Sequence, residues 1–279
     1  MPGTAAPSNS PEGAFAGRLP VVRELLRFSW RLYLVEDTPR VLLLSKAPRA
    51  VLQAVFYTLL AGLLPAGGGS GATAGREAAF AGVSAFVMCL STVIGASGVP
   101  PLDRDERTLV PQLAGRVPPL RILLARCLPY AAEGLLLSLV TVVLAGLVLT
   151  GPATVADLLA RAGLYAVMAL TTVSLGAAMG VLALLGRSEL LLGNTALYLV
   201  LVLSGALPAP ALPEWTQAVA GLLPLTHGVA ALHQSLAGQP FAGQLLAELG
   251  VGVLWLAAVA ALVRLWAHRT RTRGHADGG

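Results

Sequence analysis

The charged residues best suited to specific contacts form one run, Asp103, Arg104, Asp105, Glu106 and Arg107, in an otherwise apolar chain. Neighbouring acidic and basic side chains of this kind can form ion pairs with a second protein surface. Two prolines precede the run, so a helix is predicted to begin near it, with acidic residues in the first turn where they favour the helix dipole. We interpret the run as the charged end of a docking helix, and a solvated loop is the alternative.

Residues typical of catalysis or metal binding lack the spacing that such chemistry needs. His227 and His233 fall on opposite sides of a helix and not at the i, i+4 spacing of a helical metal pair. The chain has no H-E-x-x-H, G-x-S-x-G or G-x-x-x-x-G-K-[ST] motif, and its single lysine, Lys46, has no glycines beside it to cradle a phosphate. We predict no catalytic residue, no metal site and no cofactor bound by this chain.

The residues discussed above lie within or between six long apolar stretches of the chain. Each stretch has about the length of a helix that crosses about 30 Å of hydrocarbon. They cover 50–66, 78–99, 128–150, 163–186, 190–207 and 245–266. With 56% hydrophobic and only 12% charged residues, the chain of 279 residues has too little polar surface for a water-soluble body. The sequence therefore predicts an all-α integral membrane protein with six transmembrane helices.

The distribution of the basic residues predicts how the chain is oriented in the membrane. All of the 19 Lys and Arg residues except Arg76 and Arg161 fall in segments on one side of the six-span arrangement. By the positive-inside rule, both termini are cytoplasmic. The arginines are dispersed among loops and do not form one basic face, so the net charge of +5 indicates topology and nucleic acid is not expected as a partner.

The pattern divides the chain into a disordered lead, an interfacial amphipathic region, a transmembrane domain and a basic tail, at 1–17, 18–46, 47–268 and 269–279. Within the interfacial region, 19–36 is predicted to be a helix with Arg23, Arg27 and Arg31 on one side and apolar residues opposite. Such a helix lies flat in the membrane interface. A cytoplasmic helix packed on a partner, or a first buried span, is the alternative. Pro39 and Pro48 are then expected to break the chain.

The segment 207–243, on the outer side, contains no Lys or Arg and is too apolar for an ordinary extracellular loop. Prolines flank two helix-compatible runs, 214–223 and 225–236, which Pro224 separates. Helices this short cannot span the bilayer. The segment is therefore predicted to be a re-entrant or interfacial helical hairpin that caps the outer mouth.

Glu133 and Glu248 are the acidic residues drawn into the spans, where a charge at mid-bilayer costs about 2.5 to 3.5 kcal/mol. Glu133 can share a helix face with Arg126, which predicts an ion pair or a headgroup contact near the cytoplasmic boundary. A proton relay through Glu133 is the alternative, and it would make the protein a proton-coupled secondary transporter.

The outer segment contains three short motifs in a fixed order, Leu212-Pro213-Glu214-Trp215, Leu223-Pro224-Leu225-Thr226 and Leu236-Ala237-Gly238. The cytoplasmic loop contains Arg104 to Leu109, with Pro118 about ten residues later. In this order the motifs resemble the membrane permease subunits of type-2 ABC exporters, the daunorubicin-resistance-like transport permeases, and the loop motif looks like that family's coupling segment between its second and third spans. The chain departs from the family at Arg107, where Gly is usual before the Thr, and at His227 and His233, where Tyr and Arg are more common.

The resemblance implies that ATP is hydrolysed by a separate nucleotide-binding subunit and that two copies of the permease form a homodimer. It implies ATP-driven export of a hydrophobic or amphipathic substrate, such as a drug, an antibiotic or a lipid-like molecule, across the bacterial cytoplasmic membrane. The residues expected to contact the ATPase are Asp103, Arg104, Asp105, Glu106, Arg107 and Thr108.

The resemblance also makes spans one, two and five the expected walls of the cavity. Each has a pair of polar residues on one helix face, Gln53 with Tyr57, Ser84 with Ser91 and Asn194 with Tyr198. Packing between helices is the alternative role for these pairs. In the outer hairpin the candidate residues are Pro213, Trp215, Pro224 and His227, and Gly176 with Gly180 predicts close helix packing within the chain. An intramembrane enzyme and a membrane assembly or immunity protein remain the alternatives outside transport.

Overall fold

A computed structural model describes residues 19–63, 72–108, 112, 115, 117–186, 189–207 and 213–276, and nearly all of them are helical. The predicted lead 1–17 lies outside the described residues. The helices are α1 (Leu19–Glu36), α2 (Ala47–Leu63), α3 (Ala72–Asp105), α4 (Pro119–Leu149), α5 (Pro152–Ala160), α6 (Ala162–Leu185), α7 (Glu189–Leu203), α8 (Glu214–Ala220), α9 (Thr226–Leu236) and α10 (Ala242–Ala276).

Helix α1 confirms the helix predicted for 19–36. It packs against α4 through one face, on which Ser29 and Tyr33 are buried. Phe28 and Val35 on its remaining surface are exposed, although both are large and apolar. Exposed apolar residues opposite the packed face fit a helix lying against lipid, so the interfacial placement stays our prediction.

The chain does not break at Pro48, contrary to the sequence prediction. A helical turn at Pro39–Val41, capped by the Thr38 hydroxyl, continues through a π-helical turn at Leu42–Lys46 directly into α2. A π-turn shifts the backbone hydrogen bonds by one residue. The helix can therefore accommodate a proline, which has no N–H to donate, just after the shift. The helical run thus extends from Pro39 to Leu63.

Helix α3 also continues where the sequence predicted an interruption. It runs through Pro100 and Pro101 and ends at Asp105. Pro100 cannot donate to the carbonyl oxygen of Ala96, but the Cys127 thiol of α4 donates to that oxygen at 3.7 Å. The charged run is therefore the C-terminal end of α3 and not the first turn of a new helix, so that prediction was wrong.

Helix α3 is the centre of the bundle and packs most extensively against α6 and α4, with further contacts to α2 and α7. Phe80, Phe86 and Met88 of α3 are fully or almost fully buried, as are Tyr165 and Met168 of α6. These residues form the core between the two helices.

Gly176 and Gly180 let α6 approach α3 closely. A methyl group at Gly180 would lie 2.6 Å from the carbonyl oxygen of Ser97, and one at Gly176 would lie 2.9 Å from that of Val93. The predicted close packing within the chain is confirmed for these two glycines.

Four of the described helices, α3, α4, α6 and α10, are long and apolar enough to cross a membrane. The other two predicted spans correspond to α2, with 17 residues, and α7, with 15 residues. A helix of 15 residues is about 22 Å long, less than the hydrocarbon thickness. The outer surface of the bundle is apolar, as Leu144, Val148 and Val253 show by their exposure. These features define a multi-pass helical membrane protein.

Candidate functional site

The end of α3 combines one buried acid with a cluster of exposed charges. Asp103 is 2% exposed and forms an ion pair with Arg126 of α4, which is also buried. Arg104, Asp105 and Glu106 are exposed, and Arg104 contacts Asp105 at 3.3 Å. Asp103 is therefore a structural anchor, whereas the charges that follow it can meet another protein.

A tight turn after α3 holds these exposed charges in place. The Thr108 N–H donates to the Asp103 carbonyl oxygen at 2.9 Å, and the Thr108 hydroxyl donates to Asp103 Oδ1 at 3.2 Å. The Gln112 amide donates to Asp103 Oδ2 at 3.2 Å. Arg107 has a positive φ of 58°, a conformation that glycine adopts without steric cost. Residues 109–111, to which the predicted docking helix would extend, lie outside the described part of the chain.

Polar contacts connect this end of α3 to α1 and to the start of the Pro39–Leu63 run. We call this end of the bundle, where Glu36, Lys46 and Asp103 lie, the base. Arg126 lies 3.5 Å from Glu36 at the end of α1, and the Tyr130 hydroxyl donates to the same carboxylate at 3.1 Å. One arginine of α4 therefore links the charged segment 103–108 to α1.

Glu133 is buried in the same region, but its partners differ from the predicted one. Its Oε1 lies 2.8 Å from Lys46 Nζ, and its Oε2 accepts a hydrogen bond of 2.9 Å from the Tyr33 hydroxyl. Lys46 also lies 2.8 Å from Asp37. Burial and the adjacent Glu133 carboxylate raise the pKa of Tyr33, so this phenol keeps its proton and donates it.

The predicted Glu133–Arg126 pair is thus wrong, because Arg126 contacts Asp103 and Glu36. No local pattern indicates Lys46 as the partner, since the π-turn that carries it was not predicted. Lys46 has a structural role as the cation of a buried network at the base.

At the opposite end of the bundle, α9 is held at both termini by charged side chains. Glu248 of α10 is fully buried and accepts hydrogen bonds of 2.9 Å from the N–H groups of Leu225 and Gly228. Arg161 donates to the Ser235 carbonyl oxygen at 2.9 Å. An anion at the N-terminus and a cation at the C-terminus both complement the helix dipole. The charge pattern places Arg161 on the outer side and Glu248 lies in a predicted span, but the sequence predicts no contact between either residue and α9.

The two predicted short helices of the outer segment are present, as α8 and α9. Pro213 immediately precedes α8, and Pro224 lies in the turn between the two helices. His227 contacts Gln244 at 2.9 Å and the Gly221 carbonyl oxygen at 3.2 Å, so it ties α9 to α10 and to the turn. Trp215 is 71% exposed. Leu212, Pro208 and Pro210 lie outside the described residues.

The structure separates the residues predicted for the substrate pathway. Gln53 and Ser91 line one cavity at the base. Ser84 is enclosed between α3 and α6, where its hydroxyl lies 2.6 Å from the Tyr165 hydroxyl. Tyr57 packs edge-on against Phe86.

Asn194 and Tyr198, the remaining pathway candidates, are exposed on α7. Within the described ranges, no three His, Cys, Asp or Glu side chains come together in a way that could hold a metal ion. The polar clusters at the base and around α9 join different helices of the bundle.

The fold defines the class of this chain as a multi-pass helical membrane protein. Residues 38–236 match the family described as ABC-2 type transporter, and the chain belongs to that family as an ABC transporter permease. The match begins just before the Pro39–Leu63 run and ends at the last residue of α9. No curated protein and no solved structure matches the chain.

Proposed function

We propose that this permease is the membrane subunit of an ATP-driven exporter that moves a hydrophobic or amphipathic substrate out across the bacterial cytoplasmic membrane. Family membership implies an ATP-binding partner. The sequence has no phosphate-binding loop of its own, which supports ATP hydrolysis in that separate subunit. The daunorubicin-resistance-like permeases remain the proposed subfamily, on the motifs given above.

The observation that carries this proposal is the exposed charge cluster at the end of α3. A partner can drive the permease only through a contact that differs in free energy between two conformations. Arg104 to Arg107 are exposed at the end of the helix on which α2, α4, α6 and α7 pack. The Asp103–Arg126 ion pair connects the same point to α4. A push on this cluster would therefore reach most of the bundle.

The membrane arrangement we propose has six spans, with both termini in the cytoplasm and α8 and α9 as a re-entrant hairpin at the outer mouth. The continuous run from Pro39 to Leu63 supports α2 as a span, because it is longer than α2 alone. Helix α7 has 15 residues and is too short to cross the hydrocarbon alone, which supports a hairpin that completes the fifth crossing. Arg161, on the outer side, is paired with α9 and Asp157.

The functional unit we propose is a homodimer of permeases with two ATP-binding subunits. Helices α2 and α7 support a contact with a second copy, since they expose Leu52, Phe56, Leu191 and Tyr198. The same apolar faces could meet lipid in the monomer. Cross-linking of Leu52→Cys in an otherwise cysteine-free chain distinguishes contact with a second copy from contact with lipid. A cross-linked dimer supports the homodimer, and its absence supports contact with lipid.

Charge reversal at the end of α3 tests the coupling role. We expect Glu106→Arg combined with Arg107→Glu to abolish export and to weaken binding of the ATPase at least about tenfold, because both ion-pair partners would become repulsive. Pull-down of the ATPase and ATP-dependent export in vesicles are the measurements.

The matched control reverses Arg76 and Glu77, an exposed pair of adjacent opposite charges near the other end of the same helix. That variant should insert, bind the ATPase and export like the wild type. Normal pull-down and export by the Glu106/Arg107 variant would show that the coupling contact lies elsewhere.

A further inference from the structure

A cavity of about 350 Å³ opens at the base between α2, α3 and α4. Its size lies at the small end of ligand-binding pockets, about 300 to 1,000 Å³, so it can hold a headgroup-sized molecule. Gly98 of α3 contributes to the space, because a side chain added there would meet no atom within 4 Å.

Three polar side chains that line this cavity have no hydrogen-bond partner in the described part of the chain. They are the Arg49 guanidinium and the Gln53 amide, one helical turn apart on α2, and the Ser91 hydroxyl on the facing helix α3. Other polar side chains at the base, such as Tyr130 and Gln112, are hydrogen-bonded. Guanidinium, amide and hydroxyl donors together suit the oxygens of a phosphate group.

The remaining charges of the cavity indicate that the ligand also carries a positive group. Asp37 and Glu133 share a single ammonium, Lys46, at 2.8 Å each, so that cluster keeps one excess negative charge. Arg49 supplies the balancing positive charge, and the four charged residues of the lining cancel. A purely anionic ligand would leave the Asp37–Glu133 excess unmatched, whereas a zwitterion matches both parts of the cavity.

We propose that this cavity binds the zwitterionic amine–phosphate headgroup of an amphiphile in the cytoplasmic leaflet. The phosphate lies against Arg49, Gln53 and Ser91, and the amine lies against Asp37. Ile94, which lines the cavity and is 43% exposed, offers an apolar path from it for an acyl chain. The choice of leaflet rests on the proposed function. The amphiphile is either a resident membrane lipid or the exported substrate, since the two share this chemistry.

Equilibrium binding to the purified full-length permease tests the site without any ATPase. The probes are short-chain phosphatidylethanolamine, phosphatidylglycerol and phosphatidylcholine, measured by native mass spectrometry. We expect phosphatidylethanolamine to bind at least tenfold more tightly than phosphatidylglycerol, which has no amine. Phosphatidylcholine should also bind more weakly, because its quaternary amine has no N–H to donate to Asp37.

Two variants place the ligand in the cavity. Arg49→Gln removes the phosphate partner, Gly98→Leu fills the space, and each should reduce phosphatidylethanolamine binding at least tenfold. Gly62→Leu is the control, because Gly62 lies on α2 with no atom within 4 Å of an added side chain. Equal or tighter binding of phosphatidylglycerol, or unchanged binding by both cavity variants, would overturn the proposal.

Vesicles containing the permease, its ATPase and ATP distinguish the two sources. Movement of acyl-chain-labelled phosphatidylethanolamine, whose amine stays free, to the outer leaflet would identify the ligand as substrate, and binding without movement would identify it as a resident lipid. Both results support the site. A permease that binds the headgroup but exports no substrate of any kind would contradict the proposed function alone, and one that exports but does not bind it would contradict this site alone.

Discussion

The buried charges at the base of the bundle are paired between different helices. Asp103 is paired with Arg126, and Glu133 with Lys46, so that each carboxylate on one helix meets a cation on another. Removing one partner of a buried pair typically costs about 3 to 5 kcal/mol, because the other charge is left without compensation. The pairs therefore fix how the helices meet at the base.

The turn after α3 contains a residue whose backbone conformation is unfavourable. Arg107 has a φ of 58°, and a left-handed conformation costs a side-chain-bearing residue about 1 to 2 kcal/mol. We predict that Arg107→Gly raises the free energy of unfolding by about 1 kcal/mol. Thermal unfolding in detergent would show this as a higher midpoint.

Arg104→Gly is the control for that substitution. Arg104 lies within α3, where glycine costs about 0.5 to 1 kcal/mol of stability, so the midpoint should fall. If both substitutions lower the midpoint by the same amount, the strain at Arg107 does not exist.

Some of these residue-level features could be predicted from the sequence and others could not. The charge cluster stood out because it is contiguous, and Arg107 stood out because the resembling family has Gly there. The partners of Glu133 and Glu248 could not be found, because neither lies one or two helical turns from its partner. Local spacing predicts contacts within one helix, whereas Lys46 and Leu225 reach these carboxylates only through the tertiary fold.

Among the elements, α9 depends most clearly on side chains from other parts of the chain. Its N-terminus follows Leu225, which has a φ of 83° and donates its N–H to Glu248. The Thr171 hydroxyl donates to the same carboxylate at 2.5 Å. The Glu248 carboxylate therefore compensates both for the strained backbone and for the unpaired N–H groups at the start of α9.

We predict that Glu248→Ala loosens α9 while the remaining bundle stays folded. Each buried N–H left without an acceptor costs about 1 to 3 kcal/mol, and Glu248 serves two of them. Hydrogen exchange followed by mass spectrometry should show faster exchange in Thr226–Leu236. Glu214→Ala, at an exposed acidic position in the first turn of α8, should leave α9 unchanged. Equal protection of α9 in the two variants would refute the capping role.

The close packing of α6 against α3 predicts that an added methyl group at their contact lowers stability. Gly180→Ala should lower stability by about 1 to 3 kcal/mol, because the added methyl group would collide with backbone and Pro100 atoms of α3. Gly163→Ala, on the same helix with no atom within 4 Å, should raise stability by about 0.5 to 1 kcal/mol. Thermal unfolding of the two variants side by side is the measurement, and a neutral Gly180→Ala would show that the helices are not in contact there.

At the scale of the whole molecule, apolar length predicted the positions of the helices well and their ends poorly. Six apolar stretches correspond to six helices, but α3 extends past two prolines and the first stretch belongs to a longer run that begins at Pro39. Prolines alone indicate breaks. In this fold a π-turn accommodates Pro48, and the Cys127 thiol bonds the carbonyl oxygen left free by Pro100. Such compensation depends on tertiary contacts that a local pattern does not contain.

The source of energy for transport distinguishes an ATP-driven exporter from a proton-coupled carrier. The permease would be reconstituted in vesicles with its ATP-binding partner, and export of a lipophilic fluorescent substrate would be followed with and without an uncoupler. We predict that export requires ATP hydrolysis and persists after the proton gradient collapses. Transport by the permease alone, abolished by the uncoupler and by Glu133→Gln, would contradict ATP-driven export and identify a proton-coupled carrier.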